Sequence, residues 1–390
     1  MSRSSLRRSP DPASAEKIVD CMPPRRLVSH YNTIGAQQSV AEQGLARARK
    51  RRRGGRSLLA DVARLAEVST ATVSRALNKP AAVSPELRAR IGAAVEALQY
   101  RPNLAARMLA AQRSWTVATI VPTLRNDVFA SLLEAAQARF EEAGYTLLVG
   151  SSGHDPKREL HLIEAFVARG VDGMITTGTA HLPEVYATLE QSRVPFVNQG
   201  VYDPEGPYPS IGFNNRAAAA LAVRHLLGLG HRRIGMVAGI AQDNDRAAGR
   251  IAGFRETLEA EGPPGWRAPV VEEPYTIEGG RRGFRALMVG SDPNAERPSA
   301  IVCGNDILAQ GVLFEARESG IAVGPELSII GFDDLELSGQ LGLSSVRIPT
   351  TEIGQLAAEY ILKRIAGETP PHAIEVRISI AARASTAAPA

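Results

Sequence analysis

The apolar positions of residues 61–78, DVARLAEVSTATVSRALN, form two short helical faces that are out of phase with each other. The first face consists of Val62, Ala63, Leu65 and Ala66, and the second of Val73, Ala76 and Leu77. Ser69 lies between them and can accept a hydrogen bond from the free N–H groups of a new helix. The stretch therefore predicts two helices joined by a turn at Glu67–Ser69, the helix-turn-helix layout. An ordinary pair of packed helices in a larger all-α core is the alternative.

A third helical pattern follows and ends near Leu98. It opens with Ser84-Pro85-Glu86, which supplies an N-cap, a first-turn proline and an acid near the positive end of the helix. The next stretch, YRPNLAARMLAAQRS at 100–114, combines a proline, an alanine-rich run and polar residues. Its composition is typical of a linker that becomes helical only when something holds it.

From Trp115 onward, short β-branched runs alternate with helical patterns such as FASLLEAAQARFEEAG. The candidate strands are residues 116–121, 146–150, 173–178, 195–199, 234–239, 299–304 and 327–332. This alternation predicts parallel sheets with right-handed crossovers. Roughly 270 residues exceed one sheet of ordinary width, and the run divides into two similar halves near residue 212. We expect two doubly wound subdomains that face each other across a cleft.

Charge is distributed unevenly along the 390 residues, a length that fits two or three domains. Residues 1–113 carry 21 Lys and Arg against 8 Asp and Glu, a local charge of +13, whereas the remaining residues carry 24 against 33, or −9. A basic front on an acidic body indicates a polyanionic partner for the front alone. Residues 1–56 lack periodicity and are expected to be a disordered basic extension. The run RARKRRRGGR at 47–56 adds non-specific phosphate attraction at most.

No apolar run reaches the ~18 residues that a membrane span requires, since AAAALAV at 217–223 stops at Arg224. A secretory signal is not evident. Cys21 and Cys303 lie far apart and indicate neither a disulfide framework nor a metal cluster. We therefore expect a cytoplasmic protein with no metal site and no cofactor.

Enzyme signatures are weak. GLGHRR at 228–233 lacks the third glycine of a dinucleotide loop and follows a helical pattern instead of a strand. GxxxxGK[ST], HExxH, GxSxG and CxxC do not occur. A solute-binding receptor would have the same cleft, but it would carry an export signal and would lack a basic reading head. A sugar-modifying enzyme would need a nucleophile or a cofactor loop, and neither is evident. A regulator that is not an enzyme is favoured over both.

Six segments resemble the lactose-repressor family of bacterial transcription regulators. They are DVARLAEVSTATVSRALN, VSPELRARIGAAVEALQYRPNLAARML, LGHRRIG, RIAGFRE, CGNDILAQG and IIGFDDLELS. The resemblance runs from about Ser57 to Ala384. It implies a homodimer, or a dimer of dimers, that represses transcription by binding an operator and that responds to a small-molecule effector in the cleft.

The resemblance also implies domain boundaries. Residues 57–101 would form the helix-turn-helix domain, 102–114 a hinge helix and linker, and 115–386 an effector-binding and dimerisation domain of periplasmic-binding-protein type. Within that last domain, subdomain one would comprise about 115–211 plus 347–370, and subdomain two about 212–346 plus 371–386.

Two positions depart from the family pattern. Glu67 stands where the turn usually has glycine, which implies either a positive φ that costs about 1 kcal/mol or a slightly different turn. Leu58 stands where a capping threonine is usual, with Ser57 one residue early. The start of the first helix is therefore open.

The recognition helix of such a domain enters the major groove with its N-terminal residues at base edges. Here these are Thr70 and Ala71, with Arg75 one turn further, where it can donate two parallel hydrogen bonds to guanine. A surface ion pair is the alternative role for Arg75. The residues with reach for phosphates and sugars are Ser69, Thr72, Ser74 and Asn78.

The hinge helix is the second DNA element that the resemblance implies. Its leucine, matched by Leu109, would wedge into the central base step of the minor groove and kink the duplex. Asn103, Ala106 and Arg107 would lie on the approaching face. Plain core packing is the alternative role for Leu109.

The effector site is expected beyond the carboxyl ends of the strands, where ligands bind in open α/β sheets. Asn126 follows the first candidate strand, and Gln199 stands at the end of the fourth. By resemblance the effector-binding residues are Phe129, Asn244, Arg246, Arg250, Tyr275, Asn305 and Asp333. Arginine suits anionic oxygens, Asp and Asn suit hydroxyls, and an aromatic ring suits a sugar face, so we expect a sugar, sugar acid or phosphosugar. Helix capping and a cross-domain ion pair are the alternative roles for Asp333-Asp334.

Overall fold

The computed structural model describes residues 58–101, 113–266, 268–288 and 296–390. The chain divides into two compact units, Met1–Asn103 and Leu104–Ala390. The described part of the first unit is entirely helical, and the second unit contains both β-sheets.

The described part of the first unit contains three helices around a small core. They are α1 (Leu59–Leu65), α2 (Thr70–Asn78) and α3 (Pro85–Leu98), with a 3₁₀ turn at Pro80–Ala82. The buried core consists of Val62, Ala63, Ala66, Val73, Ala76, Ile91, Ala94 and Tyr100. Because these three helices share a core of their own, the helix-turn-helix prediction is confirmed over the alternative of a larger all-α core.

Both predicted N-caps of this unit are present. Ser69 Oγ accepts a hydrogen bond from the Thr72 N–H at 3.1 Å, and Ser84 Oγ accepts one from the Leu87 N–H at 3.4 Å. The first helix starts at Leu59, and its N-cap Leu58 has no side-chain acceptor. The Asp61 carboxylate accepts a hydrogen bond from the Leu58 N–H at 3.0 Å and satisfies that group from inside the helix.

The turn between α1 and α2 keeps the left-handed conformation that usually calls for glycine. Glu67 has φ of 52°, so the positive-φ alternative is the one the chain adopts. A Cβ atom is strained in this region of φ/ψ space. The Glu67 side chain is exposed, so it gains no core burial that would compensate for the strain.

The first sheet of the second unit has six parallel strands in the order β11-β5-β4-β3-β1-β2. The strands are β1 (Thr116–Val121), β2 (Thr146–Ser151), β3 (Gly173–Thr177), β4 (Phe196–Gln199), β5 (Ser210–Gly212) and β11 (Ala373–Glu375). The helices of this subdomain are α4 (Asp127–Glu142), α5 (Pro156–Ala168), α6 (Pro183–Ser192) and α12 (Thr350–Ile365).

The second sheet has the order β12-β10-β9-β8-β6-β7. Its strands are β6 (Ile234–Gly239), β7 (Val270–Glu273), β8 (Ala300–Cys303), β9 (Ser328–Asp333), β10 (Ser344–Arg347) and β12 (Ser379–Ala381). Its helices are α7 (Asn215–Gly228), α8 (Asp245–Glu261), α9 (Ile277–Met288), α10 (Asp306–Glu318) and α11 (Glu336–Gln340). The edge strand β12 runs antiparallel to β10, whereas the other pairs are parallel.

The chain passes between the two sheets three times, after β5, after β10 and after β11. The first passage follows β5, which ends at Gly212, and the second follows β10, which ends at Arg347. The expected return to subdomain two at 371 is wrong, because residues 373–375 pair with β5 in the first sheet. Subdomain two resumes after β11.

All seven candidate strands form, and five strands were not anticipated: β5, β7, β10, β11 and β12. These five have three or four residues each, and several are serine- or glutamate-rich, as in VVEE and SSVR. Within the part of the chain that the structure describes, no helix is long and apolar enough to cross a membrane.

Replacing Glu67 by glycine is expected to stabilise the helical unit. Glycine adopts φ near 52° without a Cβ clash, so Glu67→Gly should raise the free energy of opening of this unit by about 1 kcal/mol. Native-state hydrogen exchange of buried α2 amides, such as that of Val73, measures this in the intact chain. Glu86→Gly is the matched control and should destabilise the unit, since Glu86 lies in the first turn of α3. Slower exchange in the control, or faster exchange in Glu67→Gly, would contradict the assignment.

Candidate functional site

The recognition helix α2 buries Val73 and Ala76 and turns its opposite face to solvent. The exposed residues include Ser69, Thr70, Ala71, Arg75 and Asn78, while Thr72 and Ser74 are half-buried. Two pairs are joined by hydrogen bonds: Ser69 Oγ lies 2.8 Å from Thr72 Oγ1, and Asn78 Nδ2 donates to Ser74 Oγ at 3.3 Å.

Arg75 projects from this face without an acidic partner among the described residues. A guanidinium held in an ion pair would first have to break that pair to reach DNA. Its exposed position is the one that a base-reading arginine requires. The hinge residues Asn103, Ala106, Arg107 and Leu109 lie outside the described residues.

The second unit contains a cavity of about 410 Å³ between the carboxyl ends of the two sheets. All seven expected effector residues line it: Phe129, Asn244, Arg246, Arg250, Tyr275, Asn305 and Asp333. They come from both subdomains, so a ligand in this cavity would contact both. The position agrees with the rule that ligands bind beyond the carboxyl ends of parallel strands.

Arg250 is buried at the wall of this cavity. Its Nε donates to Asn215 Oδ1 at 3.0 Å, its Nη1 donates to the Gly304 carbonyl, and the guanidinium lies 4.7 Å from the centroid of the Phe332 ring. These contacts fix the plane of the guanidinium. Within the described chain, Nη2 makes no hydrogen bond, so its N–H groups remain for a ligand oxygen.

Asp333 ends β9 in the left-handed region, with φ of 106°. Its carboxyl accepts no hydrogen bond from the described residues, although the side chain is buried against Arg250. Burial raises the pKa of Asp333 from 3.8 to about 7, an effect that Arg250 opposes and the nearby Asp306 reinforces. The carboxyl is therefore an unsatisfied acceptor on the cavity wall.

Asp334 takes a different role from its neighbour. Its carboxylate forms ion pairs with Arg347 and Arg383, each at 2.6 Å. Arg347 is the last residue of β10 and Arg383 follows β12, so these pairs lie within one subdomain. The alternative of a cross-domain ion pair at Asp333-Asp334 is wrong for this reason.

Two of the expected ligand residues are helix N-caps. Asn305 Oδ1 accepts from the Leu308 N–H at 2.9 Å, and Asn244 Oδ1 accepts from the Ala247 N–H at 3.3 Å. Asn244 Nδ2 also donates to the Ile240 carbonyl at 3.2 Å. Capping holds both amides at the cavity edge, and the Nδ2 group of Asn305 donates to none of the residues that the structure describes.

Arg246 reaches across the cavity to the other subdomain. Its Nη1 donates to the Thr177 carbonyl at 2.9 Å and to Asp245 Oδ1 at 3.0 Å. The two aromatic residues line opposite walls, with Phe129 on α4 and Tyr275 after β7. The Tyr275 ring covers Gly239, where a Cβ atom would overlap it.

The effector set expected from resemblance omits Gln199, His154 and Arg125, which also line the cavity. Gln199 is fully buried, and its Nε2 donates to Thr177 Oγ1 at 3.2 Å. The Thr177 hydroxyl itself donates to the Ile120 carbonyl at 2.9 Å, which fixes the orientation of the amide. Gln199 Oε1 then has no hydrogen-bond partner in the described chain. The sequence signal that points to Gln199 as a cavity residue is its position at the end of a candidate strand.

His154 lies in a turn after β2 with φ of 62°, and its ring centroid is 6.2 Å from that of Tyr275 on the opposite wall. Burial, with a further contribution from Arg246, lowers the pKa of His154 below its ordinary value of 6.5. The imidazole is therefore neutral at pH 7 and can accept or donate a hydrogen bond. The pattern SSGHDP indicates the turn but not the direction in which the ring points.

A three-helix reading head and a two-subdomain body with a polar cleft define a DNA-binding regulator of the effector-responsive class. Residues 58–103 match the lacI family of bacterial regulatory proteins, and residues 223–386 match the periplasmic binding protein-like domain. Catabolite control protein A of Priestia megaterium is 33% identical over 328 residues, which cover 82% of this chain and 98% of that protein. The chain belongs to the lacI family.

Solved structures agree with this assignment. The lac repressor dimer bound to operator and the anti-inducer ONPF has a TM-score of 0.75 at 26% identity, covering 86% of this chain and all of that one. A complex of the transcriptional regulator CelR with cellobiose has a TM-score of 0.61 at 27% identity, covering 85% and 100% of the two chains. The protein is thus a DNA-binding transcriptional regulator with an effector-binding domain.

Asp333→Asn is expected to stabilise the ligand-free protein at high pH. A carboxyl whose pKa is raised by folding contributes stability below its unfolded pKa near 4, and that stability is lost as the pH rises through about 7. The asparagine side chain cannot ionise. The free energy of unfolding of the variant should therefore exceed that of the wild type by about 3 kcal/mol at pH 8. The gain should shrink at pH 5. Urea denaturation at both pH values measures it, and an equal difference at both would contradict the raised pKa.

Proposed function

We propose that this chain is a homodimeric repressor whose operator affinity is set by a carbohydrate-derived acid bound in the cleft. The observation that carries the effector part is a pair of unpaired polar groups on the cavity walls, the Asp333 carboxyl and Arg250 Nη2. Neither group has a hydrogen-bond partner among the described residues, and an unmade hydrogen bond to a largely buried group is costly, so a ligand that pairs with both removes that cost.

The chemistry of these atoms specifies the ligand. The Asp333 carboxyl is an acceptor, so it needs a hydroxyl group that donates. Arg250 Nη2 is a charged donor, so it needs an oxygen that accepts, and a carboxylate is the strongest partner. Among the described residues of the lining, Asp333 is the single acidic one, against Arg125 and Arg250, while Arg246 is paired with Asp245. This imbalance favours a sugar acid over a neutral sugar.

The apolar part of the cavity supports the same class. Phe129 and Tyr275 lie on opposite walls and offer ring faces to the C–H side of a sugar-derived chain. The cavity volume of about 410 Å³ is in the range of small-molecule sites. The cellobiose complex of the related regulator further supports a carbohydrate ligand. Neutral sugars and phosphosugars are the competing outcomes of the binding test.

For DNA, we propose that Thr70, Ala71 and Arg75 read base edges while Ser69, Thr72, Ser74 and Asn78 contact the backbone. The exposure of α2 supports this. Residues 102–114 would form the hinge element, in which Leu109 wedges into the minor groove beside Asn103, Ala106 and Arg107. The resemblance to a repressor dimer on its operator supports a two-fold symmetric operator.

Arg75→Ala is expected to weaken operator binding by about 1–3 kcal/mol and to relax the preference at one base position in each half-site. The operator can be obtained by selection from a random duplex library, and binding of single-base variants can be followed by fluorescence anisotropy at fixed salt. Arg90→Ala removes the same charge from an exposed position on α3 and should leave the base preference unchanged. An identical selected sequence for wild type and Arg75→Ala would refute the base-reading role.

Sodium gluconate is expected to stabilise the protein thermally at concentrations at which glucose does not, because only the acid supplies a carboxylate to Arg250. Arg250→Ala should lose this response while ligand-free operator binding stays near that of the wild type, or should lose operator binding if the effector is a corepressor. Arg255→Ala, on the exposed side of the same helix α8, is the matched control. Calorimetry that found the same ligand affinity in Arg250→Ala and wild type would remove Arg250 from the site.

A further inference from the structure

The two subdomains are joined across the cleft by side chains of the protein itself. Asp245, the first residue of α8, belongs to the second subdomain, and Thr179 follows β3 of the first. The Thr179 N–H and Oγ1 both donate to Asp245 Oδ2, at 2.7 and 2.8 Å. The Asp245 carboxylate thus accepts two hydrogen bonds from one residue of the opposite subdomain.

Arg246 completes this contact. Its Nη1 bridges the Thr177 carbonyl of the first subdomain and the remaining oxygen of Asp245. The side chains of Arg246 and Asp245 are only 15% and 21% exposed, so water competes weakly for these bonds. Hydrogen bonds to ionised groups in such surroundings are stronger than those between neutral groups.

The loop that receives Asp245 is held rigidly from behind. Gly178 separates the two threonines, with φ of 82°, and a Cβ atom there would overlap the Arg246 guanidinium. His181 Nε2 lies 3.0 Å from the Gly178 carbonyl and its Nδ1 lies 2.8 Å from Glu159 Oε2. The Tyr186 hydroxyl donates to the Thr179 carbonyl at 3.2 Å. The loop is therefore preorganised for the contact.

We propose that Asp245 is a positioning residue whose carboxylate latches the two subdomains together before any effector binds. The Asp245 latch consists of Asp245, Arg246, Thr177 and Thr179. It keeps the cleft closed in the ligand-free state, so the walls of the effector site are assembled in advance. A second role of the latch rests on the proposed function. The latch also sets the apparent effector affinity, because a ligand that needs the closed arrangement binds in proportion to the population of that arrangement.

Hydrogen–deuterium exchange of the ligand-free full-length protein tests the latch without an effector. Asp245→Ala should accelerate exchange about tenfold or more in segments on both walls of the cleft, including those around Phe129 and Asn305, which do not touch Asp245. Asp127→Ala is the matched control. Asp127 begins α4 of the other subdomain as Asp245 begins α8, and its carboxylate has no partner in the described chain. The control can alter exchange only locally, around Phe129 in its own helical turn, and should leave the segment around Asn305 on the opposite wall unchanged.

Faster exchange confined to residues 177–180 would mean that the bonds are local and that the cleft does not depend on them, which would overturn the proposal. Unchanged exchange everywhere would overturn it as well. Thr179→Val is the milder variant, since it removes the hydroxyl bond and keeps the backbone bond, and it should accelerate exchange on both walls about threefold. If circular dichroism shows that Asp245→Ala does not fold, the exchange rates of Thr179→Val decide whether the latch proposal holds. This test is independent of the proposed effector. If the protein bound no effector at all, the exchange result would still stand, because no ligand is added.

Discussion

Parallel pairing is the constraint on which the site depends. Strands that run in one direction end at one edge, so each sheet delivers the residues after its strands to a single rim. Three chain passages hold the two rims against each other. Gln199, Arg250 and Asp333 are spread from position 199 to position 333 of the sequence, yet they line one cavity. Once the rims face each other, short polar residues after each strand are sufficient to build a binding site.

The electrostatics of the cavity follow from this arrangement. Arg250 is held by neutral acceptors, Asn215 Oδ1 and the Gly304 carbonyl, so its positive charge is not cancelled. Asp333 is close enough to be influenced by Arg250 but forms no ion pair with it, and burial dominates its pKa. The neighbouring Asp334, by contrast, forms ion pairs with Arg347 and Arg383. The wall therefore keeps a free charged donor and a free acceptor, which is a polarity that a hydroxyl-rich acid matches.

Long strands, helix caps and the reading head could be predicted from sequence because each depends on local patterns. Ser69 and Ser84 show this for the caps. The short strands at 270–273 and 344–347 could not, since their polar sequences become strands only by pairing with a neighbour already in place. The same limit applies to the site. Resemblance located residues that line the cavity, but the orphaned oxygen of Gln199 depends on an amide orientation that Thr177 fixes. The direct bonds of Arg246 and Asp245 across the cleft depend on the separation of the two rims.

Those cross-cleft bonds bear on how much an effector can do. A ligand shifts a two-state protein only by the difference between its affinities for the two states. The Asp245 latch already contributes charge-assisted bonds to the closed state, so the ligand supplies the remainder through atoms that the protein leaves unsatisfied. Coupling free energies between sites are typically about 1–3 kcal/mol, which is comparable to one or two such bonds. Asp245 therefore holds the ligand-free regulator closed, and the unpaired wall groups Asp333 and Arg250 determine how far its effector can shift the equilibrium further.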